Sequence, residues 1–66
     1  HRDSKILNIK NINGNLTIFM DDGKIVIIQE GIISEILDLK IKKINSYYFL
    51  NNKIIFIQKN GKIGVF

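Results

Sequence analysis

The chain alternates apolar and polar residues over short runs, and this spacing of two is typical of β-strands. The runs are rich in β-branched and aromatic residues, which strands favour, and are separated by residues that favour turns. Weak alternation predicts a first strand over 6–12. Clear strands are predicted over 16–20, 25–28, 47–50, 54–58 and 63–66. The pattern therefore predicts an all-β chain.

Asx-Gly pairs between apolar runs predict tight hairpins, because such turns require positive φ. Asp22-Gly23 and Asn60-Gly61 are pairs of this kind, and Asn13-Gly14 and Asn51-Asn52 are further candidate turns. Asp21 and Asp22 could also form a carboxylate pair for acid–base chemistry or Ca²⁺, but at a hairpin tip we interpret them as turn formers.

The segment between the two hairpin regions fits two structures. Apolar residues at 33, 36, 37, 41 and 44 follow one face of a helix. Over 37–42, however, apolar and charged residues alternate as in a strand, and Leu39 lies off the helical stripe. We favour a strand at about 34–39, and a helix near 33–44 is the alternative.

An internal repeat supports the strand. When 5–28 is aligned with 43–66, six of the 24 ungapped pairs are identical. The identical pairs are Lys5/Lys43, Ile6/Ile44, Asn13/Asn51, Gly23/Gly61, Lys24/Lys62 and Ile25/Ile63. Apolar positions also fall on apolar positions, and turns on turns. Unit one therefore spans about 5–42, and 43–66 is a partial unit two. We call two residues equivalent when this alignment pairs them.

Four antiparallel strands in a period of about 40 residues are typical of a β-propeller blade. The predicted fold is thus a segment of blade-like repeats within one β-rich chain, 1–66. A small open β-barrel or sheet, with the helix near 33–44, is the alternative.

The end of each unit resembles a blade of the WD-repeat family. Residues 22–28 and 60–66 stand where that family has an Asp-Gly turn followed by its last strand. The chain has no Trp and hence no Trp-Asp pair, so it resembles degenerate blades. The resemblance implies a protein-interaction scaffold. It places His1 at the family's Gly-His position, and Thr17 and Asp21 or Asp22 at its Ser/Thr and turn Asp.

The amino-acid composition excludes several kinds of chemical site. Sixteen Ile, nine Lys and eight Asn residues make up half of the 66 positions, and Cys is absent. Disulfides and Cys-bound zinc are therefore excluded, and a single His excludes a two-His metal site within one chain. We expect no enzyme activity, no catalytic residue, no metal and no cofactor. No apolar run approaches the length of a membrane span, which is about 18 residues or more.

The net charge of +4 can indicate nucleic acid or another acidic partner, but it also fits a chain in which Lys is simply the usual solvating residue. The densest basic cluster, Lys40, Lys42 and Lys43, could contact phosphates, or could simply protect a strand edge. Tyr47 and Phe49 should share one face of a strand and Tyr48 the other. Tyr47, Tyr48 and Phe49 could form a platform on which bases stack beside positive charge, although one of the two faces should belong to the core. Of the three, we select Tyr48 as the candidate.

We accordingly expect a non-enzymatic scaffold whose partner is a protein, further blades of a longer chain, or copies of itself. A small basic β-domain that binds nucleic acid through Lys40, Lys42, Lys43 and Tyr48 is the alternative. The lack of Cys and of a visible signal peptide favours an intracellular, cytoplasmic location with no membrane partner.

Overall fold

The computed structural model of the chain describes residues 4–66, and every regular element in this range is a β-strand. The strands are β1 (Ile6–Ile12), β2 (Asn15–Met20), β3 (Lys24–Gln29), β4 (Ile32–Asp38), β5 (Ile44–Leu50), β6 (Lys53–Gln58) and β7 (Ile63–Val65). The all-β prediction is confirmed. Within these described residues no helix has the length and apolarity to cross a membrane. His1 lies outside the described residues.

The helix considered for 33–44 is wrong, because residues 32–38 form β4. This strand pairs antiparallel with β3, and Ile25 lies opposite Leu37. Pairing satisfies backbone N–H and C=O groups along the edge of β3, which a helix would leave without protein partners. The strand starts slightly before the predicted position 34, because Glu30 and Gly31, both at positive φ, form a tight turn.

The strands form two antiparallel sheets, each in chain order. The first sheet has the order β1-β2-β3-β4 and the second has the order β5-β6-β7. Two-residue turns with positive φ at both positions join β1 to β2, β3 to β4 and β5 to β6. Such turns match the twist of the flanking strands, so consecutive strands become neighbours.

The two sheets share one register when equivalent residues are compared. Ile9 lies opposite Ile18 in the first sheet, and Tyr47 lies opposite Phe56 in the second. The pairing of β1 and that of β5 each shift register between the first and third residues of the strand. Because side chains alternate between faces, equal register means that equivalent residues occupy the same place on their sheets.

Each sheet contributes part of one face to a small apolar core between the two sheets. Its buried members are Phe19 and Ile25 from the first sheet and Ile44, Tyr47 and Phe56 from the second. The rings of Phe19 and Tyr47 are tilted by 42°, with centroids 5.0 Å apart. The Tyr47 hydroxyl donates a 2.5 Å hydrogen bond to the carbonyl oxygen of Met20. The contact therefore joins the sheets by both packing and a hydrogen bond.

Gly64 allows close packing inside the second sheet. It lies opposite Phe56, and a Cβ atom at Gly64 would be 2.2 Å from Cζ of that ring. The corresponding pair in the first sheet is Val26 opposite Ile18. The second sheet thus combines a larger side chain, Phe56, with a smaller residue opposite it, Gly64.

Candidate interaction surfaces

The outer face of the first sheet is apolar and uncovered by the described chain. It is the face opposite the core, and a row of four apolar residues crosses all four strands on it: Ile9, Ile18, Val26 and Ile36. Ile6, Leu16, Met20, Ile28 and Ile33 extend this row. Five of the nine residues are exposed, and the others are half-buried. Apolar surface of this kind is found at interaction sites and on surfaces prone to aggregation, which makes this face a candidate site.

The outer face of the second sheet is also largely apolar. It carries Ser46, Tyr48, Leu50, Ile55, Ile57, Ile63 and Val65. Ile63 is 70% exposed and Val65 is 61% exposed. Residues 4–66 therefore present two separate apolar faces, one on each side of the pair of sheets.

The sheets stack head to tail. The first sheet buries the face that carries Phe19, whereas the second sheet turns outward the equivalent face, which carries Ile57. Conversely, the second sheet buries the face of Tyr47, and the first exposes the face of Ile9. Repeated use of such an interface would add further sheets in the same direction.

A basic cleft of about 740 Å³ contains the predicted lysine cluster. Its lining residues are Ser4, Asp22, Lys24, Asp38, Lys40, Lys42 and Lys43. Lys24 was not predicted as a site residue. It joins the three predicted lysines because the connection from β4 to β5 passes over the turn before β3. Four lysines face two aspartates, so the cleft is positively charged overall.

Backbone hydrogen bonds fix the connection that shapes this cleft. The Leu39 N–H donates to the carbonyl oxygen of Gly23 at 2.9 Å, and the Ile44 N–H donates to that of Asp21 at 3.1 Å. Lys40 and Lys43 both have positive φ, which is uncommon for residues with a side chain. The connection is therefore held against the turn at two points.

Asp22 is used locally by the turn. Its carboxylate accepts hydrogen bonds from the Ser4 hydroxyl and from the Lys24 backbone N–H. Burial acts to raise the pKa of Asp22, but these two hydrogen bonds and the Lys24 charge together lower it below its ordinary value. This agrees with the interpretation of Asp22 as a turn former. Among residues 4–66, no three carboxylate or His side chains gather as a metal site would require.

Tyr48 lies in a different cleft from the predicted lysines. It is 55% exposed and lines a cleft of about 510 Å³ together with Asn8 and Lys10. Its neighbour Tyr47 points to the core, as the alternation predicted. The structure thus gathers Lys40, Lys42 and Lys43 but does not place Tyr48 beside them.

Burial, followed by the charges of Asp22 and Asp21, raises the pKa of Tyr47 to about 12. The hydroxyl therefore stays protonated at neutral pH and remains a hydrogen-bond donor. This agrees with a structural role for Tyr47 between the sheets.

Comparison with protein-family models, curated proteins and solved structures gives no significant match. Sequence reasoning missed the two apolar outer faces as candidate sites. The internal repeat was the available signal, because it pairs apolar positions of the first unit with apolar positions of the second.

Proposed function

We propose that the chain is a non-enzymatic protein-interaction scaffold built from blade-like repeats, as in a degenerate WD-repeat-like propeller. In this proposal, binding occurs by surface complementarity at sheet faces and loops. The functional role of each unit is to stack on the next and to present its edges and clefts to a partner.

The head-to-tail stacking of the two sheets is the observation that supports this proposal. A pair that buried its apolar faces completely would be a finished two-layer sandwich. Here each sheet buries part of one face in the common core and leaves its other face uncovered by the described chain, and equivalent residues share one register. The arrangement favours a unit that continues over one that is closed.

The basic cleft supports a second proposal, in which the chain binds nucleic acid through phosphate contacts. Lys24, Lys40, Lys42 and Lys43 would supply charge. Because Tyr48 lies in another cleft, base stacking beside these lysines is not supported. Charge alone gives sequence-independent, salt-sensitive binding, so we rank this proposal second.

The scaffold proposal predicts that the chain associates in solution. Propellers contain about four to eight blades and this chain holds nearly two, so we expect two to four copies, or roughly 15–30 kDa. The single chain has a mass of 7.6 kDa. Sedimentation equilibrium over a range of concentrations measures this mass. A chain that stays monomeric and well folded at all concentrations would refute the scaffold proposal.

A further inference from the structure

We infer that the outer face of the first sheet in one copy docks on the outer face of the second sheet in another copy, head to tail. The occupant of each apolar face is thus a second copy of this chain. This inference rests on the scaffold proposal and specifies its partner and geometry. The contact would repeat the sheet pair that already exists within one chain.

The outer face of the first sheet has the same residue positions as the buried face of the second. Ile6 is 55% exposed, whereas Ile44 at the equivalent position is completely buried. Ile9 corresponds in the same way to buried Tyr47, and Ile18 to buried Phe56. The first sheet therefore has a surface equivalent to one that its own chain buries against a sheet.

The outer face of the second sheet matches the surface on which that docking occurs. Ile63 is 70% exposed, whereas its equivalent, Ile25, is completely buried. Ile57 corresponds to buried Phe19, and Val65 to half-buried Ile27. Each of these positions is apolar in both sheets. The two outer faces are therefore complementary by position, and not merely both apolar.

The match favours a second copy over an arbitrary apolar partner. Within one chain, Phe19 contacts Tyr47, and their ring centroids are 5.0 Å apart. Between docked copies, the equivalent contact joins Ile57 of one copy to Ile9 of the other. The two isoleucines are smaller than the two aromatic side chains in the equivalent positions. The two outer faces can therefore approach each other as closely as the two sheets do within one chain. A heterologous contact of this type uses different faces on the two partners, unlike the self-complementary contact of a two-fold dimer.

This difference gives a complementation test with two single variants, Ile6→Lys and Ile63→Lys. Ile6→Lys blocks the first sheet's outer face, and Ile63→Lys blocks that of the second. A lysine in an apolar contact has no partner for its charge, so each variant alone should associate more weakly by about 100-fold or more. Mixed together, they retain one intact pair of faces and should form a 1:1 dimer.

Ile32→Lys is the matched control. Ile32 is also 70% exposed, but its place opposite Gln29 puts it on the other face of the first sheet. It should associate like the original chain. Circular dichroism of each variant establishes that the strands are retained, as expected for substitutions at exposed positions.

Sedimentation of the separate and mixed variants distinguishes the outcomes. Two monomers that form a dimer on mixing support the inference. If the original chain associates but mixing restores nothing, or if either variant still associates normally, the head-to-tail geometry is wrong while the scaffold proposal stands. If the original chain is a folded monomer, both proposals are overturned.

Discussion

Replacing Ile25 by Ala is expected to lower the free energy of unfolding by about 2–5 kcal/mol, the usual range for a buried Ile-to-Ala change. Ile25 is completely buried between the two sheets, beside Phe19 and Tyr47. The small core offers few neighbours to fill the cavity, and small domains have little stability to lose. Urea unfolding followed by circular dichroism measures the change.

Ile63→Ala provides a matched control with the same substitution at the equivalent position. Because Ile63 is 70% exposed, its truncation should change the stability of the single chain by less than about 0.5 kcal/mol. Both variants are compared at a concentration where single chains dominate, since association adds its own stabilisation. Equal losses in the two variants would contradict the assignment of buried and exposed faces.

Gly23→Ala should be the second strongly destabilising change, because the backbone of another segment occupies the space above Gly23. A Cβ atom there would lie 2.0 Å from the carbonyl oxygen of Ile41. The φ angle of +86° adds strain for any residue with a side chain. Relief requires moving the connection, which would disturb the hydrogen bond from Leu39 to Gly23.

Gly61→Ala separates the backbone strain at positive φ from the clash with the connection. Gly61 is the equivalent position and its φ is +90°. Apart from its two chain neighbours, no described residue has an atom within 4 Å of a Cβ atom built there. Gly61→Ala should therefore lower the free energy of unfolding only by the cost of a side chain at positive φ, about 1–2 kcal/mol. Gly23→Ala should lose about 1–3 kcal/mol more, a typical cost of overpacking. Equal unfolding free energies for the two variants would mean that the connection does not pack on the turn.

The sequence predicted the hairpins well because their causes are local. Gly14, Gly23 and Gly61 all have positive φ at turns chosen from Asx-Gly pairs. Asn51 and Asn52, which formed the one turn without Gly, also have positive φ, as Asn tolerates. Residue type alone therefore decided where these strands reverse.

The structure of the middle segment could not be predicted from its own residues, because it depends on contacts with other parts of the chain. Residues 33–44 have mixed periodicity, and the edge of β3 decides the outcome by pairing with β4. The path of residues 39–43 over Gly23 is likewise set by hydrogen bonds to a turn that lies well before it in the chain. For this reason the sequence did not place Lys24 with Lys40, Lys42 and Lys43, or separate Tyr48 from them.

The division into buried and exposed apolar faces was also beyond the sequence pattern. Ile6 and Ile44 are identical residues at equivalent positions, as are Ile25 and Ile63. The local pattern of apolar and polar residues therefore predicts the same burial for both members of each pair. Only the stacking of one sheet on the other buries Ile25 and Ile44 and leaves their equivalents exposed.

An isotope-filtered nuclear Overhauser spectrum of mixed labelled and unlabelled chains tests the central claim most directly. It detects only contacts between copies, under conditions where sedimentation shows association. Head-to-tail stacking predicts a methyl contact between Ile9 of one copy and Ile57 of the other, equivalent to the Phe19–Tyr47 contact within the chain. Contacts between Ile9 and Ile9 of two copies, or no contact at either residue, would contradict it.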